Sequence, residues 1–167
     1  MENSKPKRGS IYRLDPKKVV SKCKKNHFHV YQIRQIKTPN CKEDSCTERV
    51  NPSYVERYQH PHVVWMNNSF FTTNQTYEFT FTVIPLSSKL NNITRNLNTI
   101  HVINNTKNNI KTTGLKEKSY ALIHQILTVD AGCFKNPDGS WKESIGRLND
   151  SDMNGIEKRL RYYLGLS

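Results

Sequence analysis

The sequence has no apolar run near the roughly 18 residues that a membrane-spanning helix requires, which excludes an integral membrane protein. The first 30 residues also lack the apolar core of a signal peptide, so we do not expect ordinary secretion. Sequence motifs for a nucleophile elbow, a zinc protease, a phosphate-binding loop or a dinucleotide site are missing as well. From these absences we predict a protein without enzymatic activity and without a cofactor.

Cysteine is scarce, and its four copies form no Cys-x-x-Cys pair. Cys41 and Cys46 lie in a polar segment that is followed by His60 and His62. Thiolates and imidazoles of this kind are zinc ligands, but their spacing matches no established zinc finger. We therefore favour ordinary loop and strand residues over a zinc site. A disulfide is disfavoured too, because no secretion signal points to an oxidising compartment.

Acidic residues are few, with 14 Asp and Glu against 26 Lys and Arg, and the net charge is +12. Residues 1–37 alone hold 11 of the basic residues and two acidic ones. Few apolar side chains separate these charges, which predicts a flexible basic arm over residues 1–25. We predict that the arm binds a polyanion, either RNA or an anionic membrane surface. Its cations are Lys5, Lys7, Arg8, Arg13, Lys17, Lys18, Lys22, Lys24 and Lys25.

The clearest strand pattern covers residues 76–84, where aromatic and aliphatic residues alternate with polar ones. Period-two alternation predicts an antiparallel sheet with one buried and one solvated face. Phe79, Phe81 and Val83 belong to the buried face, and Pro85 is expected to end the strand. A short apolar run over residues 62–66 predicts a second, buried strand.

Two helices are predicted in the C-terminal third. Apolar residues over 115–128 suit a helix that packs on a sheet and ends near Gly132. The turn sequence over 136–139 then predicts that Trp141 folds back onto this helix. Asp150 or Ser151 is expected to cap a second helix, with Gly165 just past its C-terminal end. Its apolar residues, Met153, Ile156, Leu160 and Leu164, are spaced by three and four.

These patterns predict an α+β fold: a mainly antiparallel sheet, two helices in the C-terminal third, and the preceding flexible arm. The corresponding division is an arm over residues 1–25 and a single α+β domain over residues 26–167. Lys158, Arg159 and Arg161 on the last helix form a candidate second basic surface. With that surface, the C-terminal part would be a winged-helix-like module in a small basic nucleic-acid-binding protein.

The segment 118–146 resembles the C-terminal end of rhabdovirus-type matrix proteins, in which a helix with an Ala-Leu core precedes a strand with glycine and tryptophan. The matching residues are Ala121, Leu122, Gly139, Trp141, Ser144 and Ile145. The threonine-rich strand over 76–84 and the basic N-terminal segment fit the same family.

The resemblance implies a viral matrix-like structural protein that bridges and condenses ribonucleoprotein at a membrane. Its expected partners are nucleoprotein or RNA, an anionic membrane surface and further copies of itself. Its expected location is the virion and the cytoplasm or membrane periphery of the host cell. The alternative, a basic nucleic-acid-binding protein, implies the nucleus.

Overall fold

The computed structural model of the chain describes residues 5–15, 18–22, 27–32, 60–67, 80–89, 97–104, 115–116 and 118–166. Within these ranges the strands are β1 (Ser10–Leu14), β2 (Lys18–Lys22), β3 (Phe28–Gln32), β4 (His60–Asn67), β5 (Thr80–Ser87), β6 (Ile100–Asn104), β7 (Lys118–Leu122), β8 (Leu127–Asp130) and β9 (Gly146–Arg147). One α-helix, α1 (Asp150–Tyr163), follows them. Short 3-10 turns lie at Leu97–Thr99, Ile123–Gln125 and Ala131–Phe134.

The strands form one large sheet and a separate hairpin, and the pairings between the described strands are antiparallel. The order along the large sheet is β6-β7-β5-β4-β1-β9, and β8 pairs with the first half of β5. The hairpin consists of β2 and β3.

Side chains of the large sheet alternate between two buried cores, as the pleat of a strand requires. On one side, which we call the helix face, α1 covers aliphatic residues such as Ile11, Val63 and Ile84. On the other side, the hairpin face, the turn Ala131–Phe134 and the β2–β3 hairpin cover Tyr12 and Phe81, together with Leu14, Val64, Val83 and Val129. The sheet is therefore covered on both sides.

The prediction of two C-terminal helices is wrong, because residues 118–130 form β7, a 3-10 turn and β8. Burial alternates through Ser119, Ala121 and Ile123, which is the period of a strand. The apolar spacing over 115–128 imitates a helix because the turn between the two strands shifts the alternation by one residue.

The prediction of a flexible N-terminal arm is also wrong for those of its residues that the structure describes. Ile11, Leu14, Val19 and Val20 are buried, and β1 lies between β4 and β9 in the sheet. Arg13 and Lys18 occupy exposed positions next to these buried residues. A strand can therefore carry the dense positive charge and still bury its apolar side chains. That residues 26–167 form a single domain stays a prediction.

The strand predicted over 76–84 corresponds in part to β5; residues 76–79 lie outside the described ranges. β5 continues through Pro85 to Ser87. Proline is tolerated there because it lies between the ladder to β8, which ends at Val83, and the ladder to β7, which begins at Leu86. The prediction of a solvated second face is wrong as well, since Ile84 and Leu86 are buried on the helix face.

The last helix is confirmed. Its N-cap is Asn149, one residue before the predicted cap, and the Asn149 side chain accepts a hydrogen bond from the N–H of Asp152 at 2.8 Å. Gly165 follows its end with a φ of +68°, as the C-terminal pattern predicted. Among the described residues, no helix has the length and apolar character needed to span a membrane.

Candidate nucleic-acid interface

The register of the sheet brings the end of β1, the start of β4, the end of β5 and the start of β7 to one edge. Leu14 lies opposite His60, His62 opposite Pro85, and Ser87 opposite Tyr120. Exposed cations from the strand ends and the adjoining segments gather there, and we call this set the basic edge. Its members are Arg13, Lys18, Lys89, Lys116 and Lys118.

The described acidic group at this edge is Asp15, whose Oδ2 lies 3.8 Å from the Nζ of Lys18. The described residues of this edge thus hold five cations and one carboxylate, and the cations remain in excess when Glu117, which lies between Lys116 and Lys118 in the sequence, is counted as well. Such an excess of positive charge attracts phosphate groups irrespective of base sequence. The basic edge is therefore a candidate binding track for a nucleic-acid backbone.

Ser87 adds a polar group to this edge. The Ser87 hydroxyl donates to the carbonyl of Lys89 at 2.7 Å and accepts from its N–H at 3.1 Å, which orders the turn after β5. The backbone of His60, at the start of β4, lies at the same edge opposite Leu14.

The nine cations predicted to form one arm are placed apart by the fold. Arg8 lies at the opposite end of β1 from the basic edge, where it contacts Glu157 at 2.9 Å and stacks on Trp65 with 4.3 Å from Cζ to the ring centroid. Lys5 is half-buried, Lys7 is exposed, and Arg13 and Lys18 belong to the basic edge. Lys17, Lys24, Lys25 and the side chain of Lys22 lie outside the described residues. Their binding to a polyanion stays a prediction.

The second basic surface lies on α1, away from the basic edge. Lys158 and Arg161 are exposed, and Arg161 contacts Glu157 at 3.6 Å along the helix. Arg159 is half-buried on the same helix. The prediction that these residues bind nucleic acid is not tested by their placement alone.

The zinc candidates are only partly described. Cys41, Cys46 and the His60 side chain lie outside the described residues. His62 is buried within the sheet, opposite Tyr12 and Pro85. The described part of the chain contains no group of three or more His, Cys, Asp or Glu residues that could hold a metal ion. The described cysteine, Cys133, is buried, and burial raises its pKa to about 12, so its thiol stays protonated near neutral pH.

A histidine–carboxylate pair was missed by the sequence reasoning. The Nε2 of His101 in β6 lies 2.9 Å from the Oδ1 of Asp152 in α1, and both side chains are largely buried. The two residues are 51 positions apart, so no local pattern reveals them. The pair fastens α1 to the sheet at the position where Gly155 leaves room for the imidazole ring.

Lys142 was missed in the same way. Its Nζ donates to the carbonyl of Cys133 at 2.9 Å, and burial lowers its pKa. The turn Ala131–Phe134 that it contacts packs against β2, the strand that begins at Lys18. A lysine in a loop carries no sequence signal that distinguishes this position from an exposed one.

The chain is similar in structure to an endoribonuclease from a mycobacterial species, with a TM-score of 0.50 and 15% sequence identity over 98% of this chain and 94% of that one. The chain belongs to the family of PemK-like, MazF-like toxins of type II toxin–antitoxin systems, whose profile matches residues 7–164. No curated protein sequence matches it.

Family membership overturns the viral interpretation. The resemblance to rhabdovirus-type matrix proteins is wrong, because the chain belongs to a toxin family and because Ala121 and Leu122, which matched a helix in that resemblance, lie in β7. The predicted absence of enzymatic activity is wrong too, because it is contradicted by membership of the PemK-like, MazF-like toxin family. The nucleoprotein and membrane partners and the virion location were implied by the same resemblance, and membership of a toxin family contradicts them.

Proposed function

We propose that the chain is an endoribonuclease toxin that binds single-stranded RNA along the basic edge and cleaves it there. The observation that carries this proposal is the register of β1, β4, β5 and β7, which brings the strand ends that carry Arg13, Lys89 and Lys118 to the same edge as Ser87 and the start of β4. Family membership and the endoribonuclease fold support the same activity. As a member of a toxin–antitoxin family, it is proposed to be restrained by an antitoxin protein.

The residue types at the basic edge suit cleavage through the ribose 2′-hydroxyl. In that reaction a base removes the 2′-proton, the alkoxide attacks the adjacent phosphorus, and an acid protonates the leaving 5′-oxygen. Cations stabilise the extra negative charge on the phosphoryl oxygens. We assign proton transfer to His60, phosphate contact to Ser87, and charge stabilisation to cations of the edge such as Lys89 and Lys118. DNA lacks the attacking group and is not a substrate in this scheme.

Cleavage of a labelled single-stranded RNA, beside the DNA of the same sequence, tests the activity directly. We expect His60→Ala to lower the cleavage rate at least about 100-fold, as for loss of a general acid or base. Its binding of an RNA with 2′-O-methyl groups, which cannot be cleaved by this route, should be nearly unchanged. Equal cleavage by His60→Ala and wild type would remove histidine from the reaction, and equal cleavage of DNA would exclude the 2′-hydroxyl route.

Two double variants that remove the same number of charges test where on the protein the RNA binds. Lys89→Met with Lys118→Met removes two cations from the basic edge, and Lys158→Met with Arg161→Met removes two from α1. If both edge lysines contact phosphates, the first pair should reduce the salt slope of single-strand binding by about 1.4, at about 0.7 per phosphate contact. The helix pair should leave the slope unchanged. The reverse result would place RNA on the helix instead.

A further inference from the structure

A lysine lies between two aromatic rings on the hairpin side of the molecule. The Nζ of Lys135 is 5.2 Å from the ring centroid of Trp141 and 5.9 Å from that of Phe28. Lys135 and Trp141 face each other as an antiparallel bridge. All three residues are half-buried, so each is held by the protein while part of it faces solvent. We call this group the aromatic subsite.

The rings are fixed by the structure beneath them. The turn between Lys135 and Trp141 is closed by a hydrogen bond from the Asn136 N–H to the Ser140 carbonyl at 2.8 Å. The Phe28 ring rests on this turn at Gly139, where a Cβ atom would lie 2.1 Å from its Cζ. Trp141 meets the buried Phe81 ring edge-on, with centroids 6.3 Å apart. Rings held in this way lose little conformational entropy when a ligand stacks on them.

The aromatic subsite continues from the basic edge. Lys142 follows Trp141 directly, and its Nζ donates to the carbonyl of Cys133 in the turn that packs against β2, the strand that begins at Lys18. Along the hairpin, Lys18 pairs with Gln32 and Lys22 pairs with Phe28. At about 3.3 Å per residue, the four steps between these pairs span roughly 13 Å. A chain of nucleotides leaving the basic edge can therefore reach the subsite within a few residues.

We propose that the aromatic subsite stacks an unpaired base of the RNA, with Lys135 contacting a phosphate of the same strand. A nucleotide offers both a flat π-face and an anion, which matches rings and a cation set together. An acidic peptide would match only the charge. The inference rests on the proposed function, because it extends the same RNA track beyond the site of cleavage.

The test uses the full-length chain and a fluorescein-labelled RNA oligonucleotide with 2′-O-methyl groups, so that binding is measured without cleavage. Trp141 becomes the sole tryptophan in a Trp65→Phe background, because the chain has two. We expect its emission to be quenched at saturating RNA. Trp141→Leu should weaken binding about 10-fold, within the range measured for loss of one stacked base. Tyr163→Leu, which removes an exposed ring from α1, is the matched control and should leave the RNA affinity unchanged.

Oligonucleotides with a single abasic position identify the stacked base. At one position, removal of the base should weaken binding to wild type by the same factor as Trp141→Leu weakens binding of the intact oligonucleotide. Binding of that abasic oligonucleotide to Trp141→Leu should then be only slightly weaker than either single change gives. Lys135→Met provides a second variant if Trp141→Leu does not fold, and it should weaken binding while leaving the Trp141 quench in place.

The outcomes separate this inference from the proposed function. RNA cleavage and binding without a Trp141 quench, or fully additive losses at every abasic position, would overturn the stacking subsite alone. Failure of wild type to bind or cleave any RNA would overturn both.

Discussion

The two faces of the sheet are built from different side chains. The helix face is aliphatic and regular, and α1 seals it with Met153, Ile156 and Leu160. The hairpin face is aromatic and irregular, with Phe81, Phe134 and Trp141 under short turns. The buried polar contacts differ as well: on the helix side His101 pairs with Asp152, whereas on the hairpin side Lys142 donates to the carbonyl of Cys133. This division suggests that the helix face supplies stability and the hairpin face supplies recognition.

The largest effect on stability is expected on the helix face. Ile156 is fully buried, so Ile156→Ala should lower the free energy of unfolding by about 2–5 kcal/mol through lost burial and the cavity left behind. Asn154→Ala, exposed on the same helix, should change it by less than about 0.5 kcal/mol. Urea denaturation followed by circular dichroism measures both. Similar losses in the two variants would mean that α1 does not seal this core.

Gly155 tests the attachment of the helix to the sheet. A Cβ atom at this position would lie 2.2 Å from the Cε1 of His101, so Gly155→Ala should displace the imidazole and cost about 1–3 kcal/mol. Without the clash, alanine in a helix would instead gain up to about 1 kcal/mol over glycine. Gly155→Ala made in a His101→Ala protein should therefore be neutral or stabilising. If it is equally destabilising in both backgrounds, the ring is not the cause.

The smallest effect is a pH dependence at Lys142 on the hairpin face. Burial lowers its pKa in the folded state, so between the folded and unfolded pKa values the unfolded chain binds more protons. Stability from this group therefore rises as the pH increases toward its unfolded value near 10.5. We expect wild type to gain stability relative to Lys142→Met as the pH rises toward 10.5. Parallel pH profiles of the two proteins would contradict the burial of the ammonium group.

Local patterns predicted α1 well, because its cap, its apolar spacing and its terminal glycine all lie within one short segment. They failed over 118–130, where two strands of four or five residues joined by a 3-10 turn leave too little alternation to outweigh an apparent helical spacing. They failed in residues 10–22 because the dense positive charge indicated a flexible segment, whereas Ile11 and Leu14 are buried in the structure.

The candidate site was predictable only in part. Arg13, Lys18 and His60 were all singled out from the sequence, the first two as polyanion-binding cations and the third as a zinc candidate. What joins them to Ser87, Lys89 and Lys118 is strand pairing between distant segments, which no local pattern encodes. Lys135 and Trp141 are close in sequence, yet their relation to Phe28 depends on the packing of the hairpin.

The position of β1 has a consequence for synthesis of the chain. β1 pairs with β9 near the C-terminus, and the backbone N–H of Leu148 donates to the carbonyl of Gly9 at 3.0 Å. Arg8 is joined to Glu157 of α1 as well. A nascent polypeptide that has not yet released residues 146–157 from the ribosome lacks these partners, and the edge of β1 stays open. Closure of the sheet therefore waits for residues 146–157 to emerge, and contacts between distant segments of this kind slow folding further. A translation product that stops before residue 146 should consequently lack a closed sheet.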